Sequence, residues 1–594
     1  MSAPAHLQPE VWRASSEALA AKIIAELAHE RVIEPEPHGD DRFALQVREG
    51  CLYTFAADRY ALDHWVLRPG TLVRTKWGQR EVADGLELLV DLRAHLDLSH
   101  EDFPGYFEEL VGTLNAAAFR RASVTPSAHE LAQADLLEVE AAMTEGHPCF
   151  IANGGRLGFD ANDVTQYTPE AATPFRIGWL AARREHCVFA FGEAVDAESF
   201  VAQELGPLHQ YGVRTLQERG LDPADYVFLP VHPWQWRYKI ATGFSSELAA
   251  QRLVWIGESE EHYVPQQSIR TLFNTSNPAR PYVKFALSIL NMGFVRGLSP
   301  EYMQATPAIN DWLASRLARD PELHACGFEL LREIAAVGYV HPHYAAVAAP
   351  SAPQRKMLSA LWRESPIPKL NEGERAMTMA ALLHRDRAGV PLVHALIEVA
   401  GIDTDAWLAA YLRAYLRPLL HCFFAHQLAF MPHGENVIVV LRNAVVQRVL
   451  VKDIAEEVLV FARPDAMPDS VSRVLIEVSD EVRRLHVLTD VFDSFFRFFG
   501  PILAERSDFS ERAFWDAVER ELADYERAHP ELAEPMERLD LRVATFPRLC
   551  LNRLQFRSRK QMLDLANPTA SFRYAGTLDN PLAGRAPQKA GGVA

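Results

Sequence analysis

Met431-Pro432-His433-Gly434-Glu435-Asn436 leads into two β-branched runs, 437–441 and 445–451, and the second run ends on Lys452-Asp453. Arg442-Asn443 stands between the runs as a turn, so the stretch predicts a β-hairpin. A hairpin brings its two ends together, and Asn436 and Asp453 are therefore expected to face one site. An amide oxygen and a carboxylate are hard donors suited to Mg2+ bound to phosphates. Protein kinases hold metal by the same logic, with a catalytic-loop Asn and a later Asp. A polar turn followed by a solvated carboxylate reads this segment equally well.

Working outward, 406–429 has the apolar period of a long helix, bent or interrupted at Pro418. The apolar run 487–503 is broken by Asp490, Asp493 and Arg497, which predicts a buried amphipathic helix rather than a membrane span. Towards the N-terminus, Leu19, Ile23 and Leu27 recur at helical spacing, and 43–47 and 51–55 flank Arg48-Glu49-Gly50 as a second hairpin. Helix returns over 86–96 and 107–119. Short strands are expected at 227–231, 254–256 and 282–287, in a region rich in Gly, Pro, His and aromatic residues. The pattern predicts an α+β multidomain chain: an N-terminal unit over 1–140, a second over 141–385, a third over 386–579, and a disordered tail over 580–594. A length of 594 residues agrees with several structural units.

The chain is 48% hydrophobic and 23% charged, with a net charge of −18. That is the composition of a soluble globular protein, and its acidic balance argues against nucleic acid or anionic membrane as partner. Met1 to Ala20 lacks the basic start and apolar run of a signal peptide. The six cysteines form no Cys-x-x-Cys pair and read as separate reduced thiols, which places the protein in the cytoplasm. His341-Pro342-His343 is the close histidine pair of note, and it reads as a loop or core element rather than a metal centre.

An acidic chain can still hold a basic cleft. Ser268, Arg270 and Thr271 lie on one short segment, Lys284 interrupts an apolar strand, and Arg296 follows Gly293. Three cations with hydroxyl donors suit a triphosphate. Gly146-His147-Pro148, Asn153-Gly154-Gly155-Arg156 and His232-Pro233-Trp234-Gln235 add loop imidazoles that could meet a carboxylate or take a proton, although a packed loop histidine is the commoner use of each.

In this order, Gly-His-Pro, His-Pro-Trp-Gln, Ser268-Ile269-Arg270-Thr271, Lys284, Arg296, His433-Gly434-Glu435-Asn436 and Asp453 resemble the IucA/IucC family, the NRPS-independent siderophore synthetases, over about 145–453. The resemblance implies a cupped hand of thumb, fingers and palm, with a palm reminiscent of kinases. It implies an enzyme that uses ATP and Mg2+ to adenylate a carboxylate, releases pyrophosphate, and passes the acyl group to an amine. On it, Ser268, Arg270, Thr271, Lys284 and Arg296 bind the phosphates, with Arg270, Lys284 and Arg296 also catalytic. His433 and Asn436 lie at the nucleotide, and Asp453 with Asn436 serves the metal. His147 is placed at the carboxylate or acyl-adenylate as a further catalytic group. Asn153, Arg156 and His232 join it in substrate binding. A homodimer is also implied.

One departure bears on the substrate. Many citrate-using members carry a second His-Pro step, and here Cys149-Phe150-Ile151-Ala152-Asn153 occupies it. The run Asn153 to Phe159, with Gln267 to Asn274 and Ala286 to Phe294, is similar to the alcaligin/putrebactin/bisucaberin type, which joins N-hydroxy-N-succinyl-diamine units. Citrate or citryl substrates remain the alternative, as does a kinase-like phosphotransferase, since an Asn with a later Asp also suits γ-phosphate transfer.

Overall fold

A computed structural model describes residues 4–143, 145–557 and 572–585. It is a mixed α and β fold with three principal sheets. The helix Pro9–His29 packs over an antiparallel sheet that includes Arg42–Arg48, Cys51–Tyr60 and Val73–Lys76. Leu19, Ile23 and Leu27 are buried in that contact, as their spacing predicts. The helices Gly85–Asp91 and Phe103–Ala122 close the same core, and Asp84 caps the first by accepting from the N–H groups of Leu86 and Glu87.

The central sheet has six antiparallel strands in the order Tyr263–Pro265, Thr271–Asn274, Tyr282–Phe285, Ser359–Arg363, Glu333–Tyr339 and Cys187–Phe191. A three-stranded sheet of Leu253–Glu258, Gly178–Arg183 and Tyr226–Val231 shares its core. The third sheet is built on the predicted hairpin. Val437–Arg442 pairs with Val445–Val451, flanked by Glu374–Thr378 on one side and by Glu329–Leu330, in parallel, on the other. Its turn falls one residue later than expected, at Asn443-Ala444, where both residues have positive φ (50° and 62°). A two-residue hairpin turn matched to strand twist needs that pair of conformations, and Asn accepts it readily.

The helix Thr404–Phe424 lies against the hairpin and continues through Pro418 rather than stopping there. It ends five residues short of the expected limit. The run 487–503 is buried, but as three segments: Asp480–Val487, a π-helical turn over Leu488–Phe496, and Arg497–Ala504. The interrupting residues Asp493 and Arg497 are themselves buried and paired with His29 and Glu26 (3.4 and 3.0 Å).

Two strands of the hairpin sheet, Glu329–Leu330 and Glu374–Thr378, precede the expected boundary at 385, so that sheet draws on chain from both sides of it. The expected tail also starts too early. Asn580 donates from Nδ2 to the carbonyls of Leu541 and Val543 (both 2.8 Å), and Leu582 is fully buried, so 580–585 is packed structure. Residues 586–594 lie outside the described residues.

Candidate active site

Strand register assembles the first half of the site. Thr271 pairs with Lys284, Tyr282 with Arg363, and Arg363 with Glu333. Side chains alternate faces with a period of two, so these partners share one face of the central sheet. The hairpin supplies the second half. Its ends are in register, Val437 opposite Val451, and the N–H of Lys452 donates to the Asn436 carbonyl (3.0 Å). Asn436 and Asp453 are therefore brought together as predicted.

The two halves meet through buried charge. Lys284, 4% exposed, donates from Nζ to Asp453 Oδ1 (2.6 Å) and Glu456 Oε2 (2.9 Å). Arg363 Nη1 donates to the other Asp453 oxygen (3.1 Å). Burial pulls the lysine towards neutrality, but the two carboxylates outweigh it and hold the ammonium above its ordinary range. Burial likewise favours a neutral Asp453, and Lys284 and Arg363 reverse that, keeping the carboxylate well below its usual range. Lys284 is thus not a free cation waiting for phosphate, nor is Asp453 a bare metal ligand. Each is held in place by the other.

Three acidic residues that carry no motif complete the cluster. Glu456 and Glu457 follow Asp453 on one helical turn, Ile454–Glu457, and Glu333 is fully buried beside them, accepting from the N–H of Ala455 (3.2 Å). Burial and the neighbouring Asp453 and Glu456 push Glu457 well above the carboxylate range. Like charges so close together favour a divalent cation. Asn436 agrees with this. Its Nδ2 donates to the Met431 carbonyl (3.0 Å) and to Glu457, leaving the amide oxygen outside any hydrogen bond among the described residues. Asp453 also holds a left-handed backbone (φ 56°), which an aspartate tolerates and a β-branched residue would not.

The segment Gln266 to Thr271 crosses from the central sheet to this cluster. Gln267 is pinned through its N–H to Glu140 Oε2 (3.0 Å) and through Nε2 to the Glu140 carbonyl (2.7 Å). Ile269 is left-handed (φ 57°) and buried, a strained state for a β-branched residue, and it turns Arg270 back towards Gly297, whose carbonyl accepts from Nη1 (2.8 Å). Arg270 Nη2 also lies 3.7 Å from Glu456. Arg296 donates to Asn291 Oδ1 (2.7 Å); burial, then Arg270, lower its pKa to about 10. Ser268 Oγ, Thr271 Oγ1 and Arg296 Nε are buried with no hydrogen-bond partner among the described residues. Unmet donors beside surplus arginine charge fit an anionic ligand rich in oxygen.

His147 and His433 meet edge to face with ring centroids 5.5 Å apart, and Nδ1 of each has no partner among the described residues. Burial, and for His147 the neighbouring His433, hold both below the ordinary histidine range, so each is a neutral base. Asn153 Nδ2 donates to the His147 carbonyl (3.0 Å) and so positions its loop. Gly434 makes the approach of His433 possible: a Cβ there would lie 2.8 Å from Ala380 Cα, and its carbonyl accepts from the Ala380 N–H (2.8 Å).

Two expected substrate ligands are placed differently. His232 is fully buried among Tyr167, Phe175 and Phe285, and its Nδ1 accepts from the N–H of Trp234 (3.1 Å). Burial lowers its pKa to about 3, so it serves as a neutral cap in an aromatic core. Arg156 is claimed by Glu170 through two hydrogen bonds (2.6 and 3.0 Å), with Arg120 3.7 Å from the same carboxylate. Its charge is used inside the protein. Conversely, Arg363, Glu333, Glu456 and Glu457 were missed. The adjacency of Glu456-Glu457 to Asp453 was a usable signal, whereas Arg363 is linked to the site only through strand register.

The profile described as IucA / IucC family matches residues 135–384, and that described as ferric iron reductase FhuF-like transporter matches 405–564. No described helix is long and apolar enough to cross a membrane. Putrebactin synthase of Shewanella sp. (strain MR-4) is 43% identical over 98% of this chain and 93% of its own length. Rhizobactin siderophore biosynthesis protein RhbF of Rhizobium meliloti is 31% identical over 98% and 97%. Among solved structures, aerobactin synthetase IucC from a hypervirulent pathotype of Klebsiella pneumoniae superposes with a TM-score of 0.83 at 28% identity, covering 97% of this chain and 99% of that one.

Proposed function

The chain belongs to the IucA/IucC family, and from that premise we propose that it is an ATP-dependent siderophore synthetase joining a carboxylate to an amine. The preferred carboxylate is an N-hydroxy-N-succinyl-diamine, activated as its acyl-adenylate, and the products are a hydroxamate siderophore, AMP and pyrophosphate. The observation that carries this reading is the meeting of Lys284, Arg270 and Arg363 with Asp453, Glu456 and Glu457 where the central sheet faces the hairpin. The absence of a second His-Pro step, together with the similarity to a putrebactin synthase, supports a succinyl hydroxamate over citrate.

The geometry supports the following residue roles. Arg270 and Arg296, with the unpartnered hydroxyls of Ser268 and Thr271, bind the phosphates, and Lys284 neutralises charge on the departing pyrophosphate. His433 and Asn436 border the nucleotide. Asp453 and the Asn436 amide oxygen, with Glu456 and Glu457 beside them, hold Mg2+, which supplies charge neutralisation on the phosphates when bound. His147, neutral and unpartnered at Nδ1, accepts the proton that the attacking amine must lose. The architecture is read as a cupped hand of thumb, fingers and a kinase-like palm, the palm including the hairpin sheet with its strands Glu329–Leu330 and Glu374–Thr378, in a cytoplasmic homodimer.

Incubation with ATP, Mg2+ and N-hydroxy-N-succinyl-putrescine or its cadaverine analogue tests this directly. AMP, pyrophosphate and a condensed hydroxamate mass are expected. Formation of ADP in place of AMP would favour a phosphotransferase, and turnover confined to citrate would overturn the substrate.

A further inference from the structure

At the C-terminal end of the helix Thr404–Phe424 lies a second cluster, outside every residue discussed so far. Nε2 of His421 and Nε2 of His426 both lie 2.9 Å from one oxygen, Asp320 Oδ2. The three donor atoms fall within 4.8 Å of one another. Asp320 is held with that oxygen turned to the imidazoles, because its other oxygen caps the helix Pro321–Ala325 by accepting from the N–H groups of Glu322 (3.0 Å) and Leu323 (2.9 Å). His421 is oriented from behind by Tyr525, whose hydroxyl is 3.0 Å from Nδ1. All three ligand side chains are largely buried, with 8–15% exposure. The ring of His529 packs 5.1 Å from that of His421, and its Nε2 makes no hydrogen bond among the described residues.

We propose that Asp320, His421 and His426 bind a divalent transition-metal ion of the Zn2+ class. Two imidazoles and a carboxylate are the donor set such ions prefer. Bonds of about 2.0–2.2 Å in tetrahedral geometry separate neighbouring donors by roughly 3.3–3.5 Å, so each imidazole must draw back from the Asp320 oxygen by about half an ångström. With the metal on Nε2, any ring proton sits on Nδ1, which in His421 faces the Tyr525 oxygen (3.0 Å), the outer-shell contact that fixes metal-bound histidines. The other His-carboxylate group, Glu247 with His341 and His343, does not offer this. Glu247 is already bound twice by Arg252 (both 2.7 Å) and once by Tyr339.

The ion ties the C-terminal end of Thr404–Phe424 to Pro321–Ala325. The same helix supports the active-site loop through Tyr415, whose hydroxyl donates to the Pro432 carbonyl (2.7 Å). The ion's role is therefore to steady that helix, not to take part in the reaction.

Full-length protein stripped with chelator and titrated with Co2+ tests the proposal, followed by Zn2+ competition and thermal scans. One equivalent is expected to show the intense visible absorption of tetrahedral Co2+, to be displaced by Zn2+, and to raise the melting midpoint. His426→Gln should lose the absorption and weaken Zn2+ binding by about 100-fold or more. Asp320→Asn, which keeps the helix cap, should do the same, while His343→Ala should leave binding unchanged. Metal-free His426→Gln should still release pyrophosphate with Mg2+, ATP and the carboxylate substrate. Weak octahedral-type absorption alone in the parent protein, or unchanged Co2+ spectra in both His426→Gln and Asp320→Asn, would overturn the site.

Discussion

Replacing Lys284 with methionine keeps an unbranched side chain, one atom shorter, and removes its charge at a position only 4% exposed. At the 2.6 Å separation from Asp453, an effective dielectric near 20 gives a gross attraction of about 6 kcal/mol. Desolvation of both groups cancels much of that, so the coupling between the pair is expected at about 2–3 kcal/mol. Removing the lysine alone leaves Asp453 with Arg363, and brings Asp453, Glu456 and Glu457 into less compensated repulsion. The single substitution should therefore cost about 3–5 kcal/mol of stability, as for other buried pairs broken from one side. Lys284→Met with Asp453→Asn should cost less than the sum of the two. Loss of one donor to the developing charge on pyrophosphate should also slow its release by about 10^2–10^3-fold. Urea unfolding of the parent, both single variants and the double variant measures the coupling, and a continuous pyrophosphate assay measures the rate. A coupling below about 0.5 kcal/mol, or parent-like pyrophosphate release by folded Lys284→Met, would refute the reasoning.

Glu140 carries a pH prediction. Burial, only partly countered by Lys452, raises its pKa from 4.5 to about 7. The folded state thus binds a proton that the unfolded state releases, so this group favours folding fully below pH ~4.5, and that contribution is lost as pH rises to about 7. Glu140→Gln should remove the slope, worth up to about 3 kcal/mol, in chemical denaturation between pH 4.5 and 8; an unchanged slope would contradict the assignment. Gly434→Ala drives a Cβ against Ala380 and should lower pyrophosphate release at least tenfold, with about 1–3 kcal/mol of destabilisation; parent-like kinetics would show that the close approach is dispensable. His232→Asn, which preserves a capping acceptor in the aromatic core, should lower the melting midpoint while KM for the carboxylate stays within about twofold, and a large rise in KM would return His232 to the substrate site.

Local chemistry explains what was readable beforehand. The hairpin was visible because two β-branched runs flank an Asn turn, and hairpin geometry alone brings Asn436 to Asp453. The helix Pro9–His29 was visible from its apolar period. The burial of 487–503 was readable, but not how its charges are met: Asp493 and Arg497 pair with partners hundreds of positions away. For His232 the sequence leaves two readings, because a His-Pro step reads alike in a binding loop and in a packed cap.

The sequence by itself determined the reaction class, since ordered motifs survive as short contiguous strings whatever surrounds them. Only the tertiary structure decided which of the motif residues stand together. Strand register alone carries Arg363 to Asp453, and it turns Lys284 and Asp453 from two separate ligands into one buried pair. Only folding, too, sets Asp320 a hydrogen bond away from His421 and His426, a hundred positions further along the chain. Electrostatic energy depends on separation in space and on burial, and neither quantity is written in the spacing of residues along a chain.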